Sequence, residues 1–119
     1  MAVSRRTTFT AAMAAGKADN LRRLRGTPRD GVLLRMTLAN ALLAENDAPS
    51  AIAELRKALE FDADYSAAWK LLGRTLAENG DAAAAISAYR SGIAAAQRRG
   101  DKQAEKEMTV FLRRLERAG

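Results

Sequence analysis

The feature that most constrains the fold of this 119-residue chain is an internal repeat with a period of 34 residues. Residues 32–65 align with residues 66–99 without a gap. A repeated unit of this length is one supersecondary element, so the repeat predicts a stack of similar units. The identical pairs are Leu38/Leu72, Leu42/Leu76, Asp47/Asp81, Ala48/Ala82, Ala51/Ala85, Ile52/Ile86 and Arg56/Arg90.

Each unit carries two helical patterns with matching turn signals between them. Asn46 and Gly80 fall at equivalent positions, and both residue types suit the left-handed conformation that ends a helix. Asp47 and Asp81 follow, and each is expected to cap the next helix. The patterns predict four helices, running from about residue 30 to 45, 47 to 61, 66 to 79 and 81 to 99.

A fifth helix is predicted after Gly100 and Asp101, which repeat the same stop-and-cap signal. Its apolar residues form one stripe, and charged residues occupy the rest of the helix. One side of this helix should therefore pack against the stack while the other meets water. The stripe consists of Ala104, Met108, Phe111 and Leu115.

The composition favours an all-α, single-domain protein without catalytic machinery. Aromatic residues are 5% of the chain, and alanine and leucine supply most of its apolar content, which favours helices over strands. The chain has no cysteine and no histidine, so thiolate chemistry and the commonest general base and metal ligand are missing. The carboxylates near the turns, which include Glu45 and Glu78, are accounted for by capping, and we predict no enzyme activity, no metal and no cofactor.

The first residues predict an arm rather than a targeting segment. The stretch SRRTTF resembles the start of an export signal, but the apolar part after it is weaker than such a signal carries. We expect residues 1–18 to form a frayed or weakly helical arm. Residues 19–31 should then form a short helix and turn, with Asp19 as its cap and Gly26 at its end. Charges interrupt every apolar stretch, so we predict a soluble, cytoplasmic protein without a membrane span.

The net charge of +6 raises nucleic-acid binding as an alternative function. The excess lies at the two ends of the chain, because residues 32–96 hold six cations against eight acids. Aromatic residues that could stack on bases are absent among these cations, so we expect solvated helix faces and consider nucleic acid unlikely as a partner. The candidate cations are Arg22, Arg23, Arg25, Arg98, Arg99, Arg113, Arg114 and Arg117.

The second unit carries the residues that identify a family. Its Trp69, the Leu72-Gly73 pair and the small and aromatic residues Ala85 and Tyr89 fall where the tetratricopeptide repeat has its signature. The chain thus resembles that family, and its residues 95–115 are similar to the tail of small free-standing bacterial members. The closing proline of the pattern is replaced by Ala63 and Gln97, so the fourth helix can extend beyond its usual end.

The resemblance implies how the chain is divided and which residues form its core. Antiparallel helix hairpins should stack as a short right-handed superhelix, with repeats at 32–65 and 66–99 and a capping helix at 100–119. Deleting residues 101–119 should abolish cooperative unfolding. Small residues let the helices of a hairpin approach, and aromatic residues fill the space around them. The predicted signature core is Leu38, Leu42, Ala51, Leu55, Trp69, Leu72, Gly73, Leu76, Ala85 and Tyr89.

The resemblance also implies a protein-binding adaptor or scaffold with a concave groove along the first helix of each hairpin. Lys70 and Arg74 are neighbours on one helix face and could hold an acidic peptide. Related domains that clamp chaperone termini have a lysine where this chain has Met36, so we predict no such clamp. A self-associating subunit of a larger assembly stays open as an alternative. The predicted groove residues are Leu33, Met36, Asn40, Leu43, Lys70 and Arg74, and Ala67 and Ala77 lie on the same face of the second helix.

Overall fold

A computed structural model describes residues 16–119, and within this range the regular elements are all helices. A short helical segment covers residues 16–22. Helices α1 and α2 form a hairpin, α3 and α4 form a second hairpin that packs on the first, and α5 packs against α4. The predicted all-α repeat architecture is confirmed. The helices are α1 (Val32–Ala44), α2 (Ala48–Phe61), α3 (Ser66–Glu78), α4 (Ala82–Arg99) and α5 (Lys102–Ala118).

The turns within the hairpins use the predicted residues. Asn46 has φ 61° and Gly80 has φ 86°, so both adopt the left-handed conformation that ends a helix. The aspartate that begins each of three helices accepts a hydrogen bond from the backbone N–H three residues later, which confirms the predicted caps. These bonds run to Asp47 from Ser50 (3.2 Å), to Asp81 from Ala84 (3.1 Å) and to Asp101 from Ala104 (3.1 Å).

The second hairpin is held together around two glycines. A Cβ on Gly73 would lie 2.6 Å from Cε1 of Tyr89, and a Cβ on Gly92 would lie 2.6 Å from Cβ of Trp69. Trp69 is half-buried, and its Nε1 donates a 2.7 Å hydrogen bond to the carbonyl of Ala63. The small residues therefore let α3 and α4 approach, while the aromatic side chains fill the space beside the contact. Of the ten signature residues, nine are buried and Trp69 is half-buried.

Helix α5 covers the far side of α4. Met108 is fully buried, and its Sδ lies where a side chain on Gly92 would project. Phe111 packs beside Tyr89 with their ring centroids 5.8 Å apart. Helix α5 thus gives the second hairpin an outer layer, which supplies burial that two repeats alone would lack.

The N-terminal segment begins earlier than the sequence suggested. Residues 16–18 are already helical and Ala18 is fully buried in the main core, so the prediction that Asp19 caps this helix is wrong. Asp19 instead accepts a hydrogen bond from Arg22 within the helix. The helix ends at residue 22, earlier than the predicted end at Gly26, and Gly26 has φ 75° in the turn that follows. Residues 1–15 of the predicted arm lie outside the described residues.

A buried ion network joins this segment to the first hairpin. Arg35 of α1 is 8% exposed and donates to both oxygens of Asp30 at 2.9 Å and to Glu54 of α2 at 2.8 Å. Arg25 donates to the other oxygen of Glu54 at 2.9 Å. The hydrogen bonds from Arg35 and from the backbone N–H of Gly26 hold the pKa of the Asp30 carboxyl well below its usual range. The sequence pattern gave no indication that an arginine would be buried here.

A second set of polar contacts fastens the loop between α2 and α3 to the turn between α4 and α5. Arg98 Nε donates to Asp64 at 2.8 Å, and Arg99 forms an ion pair with Asp62. The Arg98 guanidinium lowers the pKa of the Asp64 carboxyl. The third contact of this interhairpin clasp is the hydroxyl of Ser66, which donates to Asp101 at 2.9 Å.

Candidate protein-binding surface

The predicted groove residues of α1 differ widely in their exposure. Leu33 is 68% exposed, Met36 and Leu43 are half-buried against the core, and Asn40 is exposed. The Asn40 side chain folds back and donates a 3.1 Å hydrogen bond to the carbonyl of Met36. The α1 part of this face is therefore mainly apolar.

Lys70 and Arg74 lie at a depression of about 190 Å³ between α3 and α5. Leu71 and Phe111 form its apolar walls, and Glu107 stands opposite the lysine. Sequence reasoning missed the contribution of α5 to this depression. Phe111 was visible as part of the apolar stripe, but the position of Glu107 depends on how α3 and α5 are rotated against each other.

The two cations of α3 are paired with carboxylates. Lys70 Nζ donates to Glu107 Oε2 at 3.0 Å, and this ion pair lowers the pKa of the Glu107 carboxyl. Arg74 Nε lies 3.7 Å from an oxygen of Glu78, one turn further along α3. In the unbound chain each of these cations therefore has a carboxylate partner, and their contact with an acidic ligand stays a prediction. The depression is apolar inside and electrically balanced at its rim.

Leu43 lines a separate depression of about 230 Å³, where the ends of α1 and α3 meet the turn after α1. The other residues at this depression are mostly polar: Asn46, Ala48, Thr75, Glu78 and Asn79. Leu33, Met36 and Asn40 line neither depression. The structure therefore distributes the six predicted groove residues over three places along the first helices.

The cations considered for nucleic acid are distributed over the N-terminal segment, α4 and α5. Arg22, Arg25, Arg98 and Arg99 are each paired with an aspartate or glutamate. Arg23 and the three arginines of α5 form no ion pair with any described residue. Arg98 and Arg99 lie in the last turn of α4, and Arg113, Arg114 and Arg117 lie on α5.

The hairpin stack and its glycine contacts decide which family this chain represents. The sequence model of the Tetratricopeptide repeat matches residues 42–105, from within α1 to the first turn of α5. The chain belongs to the tetratricopeptide repeat family. Such repeats are in general non-catalytic modules that contact other proteins, so the chain is a protein–protein interaction module in this broad sense.

Three proteins are similar to this chain, and two of them have solved structures. A TPR repeat-containing protein of Pseudomonas aeruginosa is 51% identical over 89 residues, which are 75% of this chain and 85% of that protein. The solution structure of a protein from Bordetella parapertussis is 46% identical with a TM-score of 0.72, covering 85% of this chain and 88% of that one. The solution structure of a tetratricopeptide repeat domain protein from Salinibacter ruber is 27% identical with a TM-score of 0.70. It covers 75% of this chain and 89% of that one.

Within residues 16–119, every helix is too short or too polar to cross a membrane.

Proposed function

We propose that this tetratricopeptide repeat protein is a non-catalytic adaptor that binds a segment of a partner protein along its first helices. The observation that carries the proposal is the depression between α3 and α5. Its walls are the apolar side chains of Leu71 and Phe111, and its rim carries the Lys70–Glu107 ion pair. An apolar pocket with a few polar groups at its edge suits an anchoring side chain of a peptide.

The exposed part of α1 supports an extended contact. Leu33 is 68% exposed, and Met36 on the same helix is only half-buried. Apolar side chains at such positions contribute binding free energy when a partner covers them. A segment that reached from Leu33 to the depression would cross both hairpins.

The rim charges favour a partner that is not strongly acidic. An acidic ligand would have to displace Glu107 from Lys70, and Glu78 from Arg74. A side chain that enters between Leu71 and Phe111 needs no such exchange. We therefore propose an apolar anchor with polar flanking residues, and an acidic ligand stays an untested alternative.

The experiment compares partner capture by the full chain and two variants. The variant Leu33→Glu/Arg74→Glu changes two exposed side chains on the proposed surface and lowers the net charge by three. The control Ala53→Glu/Arg56→Glu makes the same change in charge at exposed positions of α2. Both variants should keep the helical circular dichroism and melting temperature of the parent.

We expect the parent and the α2 control to capture the same proteins from an extract of the source cells, in amounts measured by mass spectrometry. The Leu33→Glu/Arg74→Glu variant, called the groove variant below, should capture about tenfold less of these proteins, or none. Equal capture by the groove variant would place the binding surface elsewhere on the protein.

A further inference from the structure

Helix α5 separates its charges in a way that the packing of the stack does not require. Each of its three glutamates faces a side chain of α3 or α4. Its five cations form no ion pair with any described residue. The glutamate contacts are Glu105 with Gln97 (3.4 Å), Glu107 with Lys70 (3.0 Å) and Glu116 with Arg90 (2.9 Å).

Four of the unpaired cations lie on one face of the helix. Lys102, Lys106, Arg113 and Arg117 recur at helical spacing, and all four are exposed. This basic stripe lies opposite the docked side of α5, because Ala104, Met108 and Leu115 are half a turn away. It extends from residue 102 to residue 117, or about 22 Å along the helix axis.

Val110 lies in the middle of the basic stripe and is 45% exposed. The stripe contains no acidic residue, whereas a face that serves solubility alone is better supplied with charges of both signs. An apolar centre surrounded by charge is the usual arrangement of a protein interface. Val110 would add nothing to binding a phosphate backbone, and the stripe holds no aromatic residue that could stack on a base.

From these observations we infer that the basic stripe of α5 is a second docking surface, which receives an acidic helix of a partner protein. The partner helix lies across the outward side of α5, where a further helix would pack if the stack continued. Its carboxylates pair with Lys106 and Arg113, and an apolar residue between them covers Val110. This surface is separate from the groove between α3 and α5.

The inference is tested with a synthetic helical peptide of about 20 residues, long enough to span the basic stripe. The peptide carries glutamates at the spacing of the four cations and a leucine at the position that faces Val110. A scrambled peptide of identical composition controls for unspecific attraction between opposite charges. Binding of both to the full chain is measured by fluorescence anisotropy at low and at physiological salt.

Three variants assign the binding to the basic stripe. In Lys106→Glu/Arg113→Glu two exposed cations are reversed, and Val110→Asn removes the apolar centre. The control Arg56→Glu/Lys57→Glu makes the same charge reversal on α2. The groove variant Leu33→Glu/Arg74→Glu leaves the basic stripe unchanged and should bind the peptide as the parent does. Peptide binding therefore tests this inference independently of the proposed groove.

We expect the designed peptide to bind about tenfold more tightly than the scrambled one, and the reversal on α5 to weaken it by about tenfold or more. Val110→Asn should weaken binding severalfold, and the α2 control should leave it unchanged. Equal affinity for the two peptides, or unchanged binding by the α5 reversal, would overturn the inference. The inference would also be overturned if duplex DNA displaced the peptide and bound more tightly than the peptide through Lys106 and Arg113. The surface would then bind nucleic acid.

Discussion

Gly73 and Tyr89 share one contact point between α3 and α4, where a Cβ on residue 73 would lie 2.6 to 2.8 Å from three atoms of the tyrosine ring. The ring is 2% exposed and is backed by Phe111, so it cannot move aside without disturbing α5. The second hairpin therefore depends on the absence of a side chain at position 73.

The substitution Gly73→Ala should destabilise the protein although alanine is the better helix former. Overpacking a rigid contact costs about 1 to 3 kcal/mol, while replacing a helical glycine recovers at most about 1 kcal/mol. Chemical denaturation should show a net loss of about 1 kcal/mol or more. Ser91→Ala on the exposed side of α4 is the control and should be neutral or slightly stabilising. The substitution Tyr89→Leu should lower the free energy of unfolding less in the Gly73→Ala background than in the parent, because the smaller side chain relieves the clash with the Cβ at position 73.

Proline should have opposite effects at the two equivalent positions 63 and 97. Ala63 follows the extended residue Asp62, and the bond from Tyr65 N–H to the Asp62 carbonyl places it at the second position of a turn, where proline is favoured. Gln97 lies inside α4. We expect Ala63→Pro to stabilise by about 0.4 to 1 kcal/mol and Gln97→Pro to destabilise by about 3 kcal/mol. Thermal and denaturant unfolding measure both. A loss of stability in Ala63→Pro would contradict the turn assignment.

Removing the buried guanidinium of Arg35 should be among the most damaging single changes in the first hairpin. The variant Arg35→Met keeps much of the side-chain volume but leaves Asp30 and Glu54 close together without their shared cation. The melting temperature should fall on the order of 10 °C. Arg22→Met removes an exposed ion pair with Asp19 and should change the melting temperature little. A similar small change in both variants would show that the buried network contributes no stability.

Asp30 should make the stability depend on pH in the acidic range. Its folded pKa is lowered below the ordinary value of 3.8, chiefly by the hydrogen bonds from Arg35. Its contribution is therefore present above about pH 4 and is lost as the pH falls through the folded pKa. The difference in melting temperature between the parent and Asp30→Asn should be constant from pH 7 to 5 and should narrow below pH 4. In an Arg35→Met background most of the pKa shift of Asp30 is removed, so the difference in melting temperature should narrow much less. A difference in the parent that does not change with pH would contradict the assignment.

The repeat made the fold predictable because its signature residues act within one unit. Trp69, Gly73 and Tyr89 belong to the same hairpin, so their order along the sequence carries the information about their contact. The caps Asp47 and Asp81 are equally local, since each bonds an amide three residues away. Family membership and the all-α stack follow from such local features.

The charge pattern of the candidate surface could not be predicted in the same way. Lys70 and Glu107 are 37 residues apart, and their contact depends on the rotation of α5 against α3, which no periodicity specifies. Arg35 interrupts an apolar helix, and only the convergence of Asp30 and Glu54 explains its burial. The role of Leu33 in binding stays a prediction, because its exposure alone identifies no partner.

The interhairpin clasp has a consequence for how the protein is made. Its contacts join residues 62–66 to residues 98–101. During translation, the partners of the loop are therefore synthesised about one repeat length after the loop itself. On the ribosome, the first hairpin can form while Asp62 and Asp64 still face water. The clasp then closes only when Arg98 and Arg99 have left the exit tunnel. Translation order thus makes the joint between the hairpins one of the last parts of the nascent protein to become fixed.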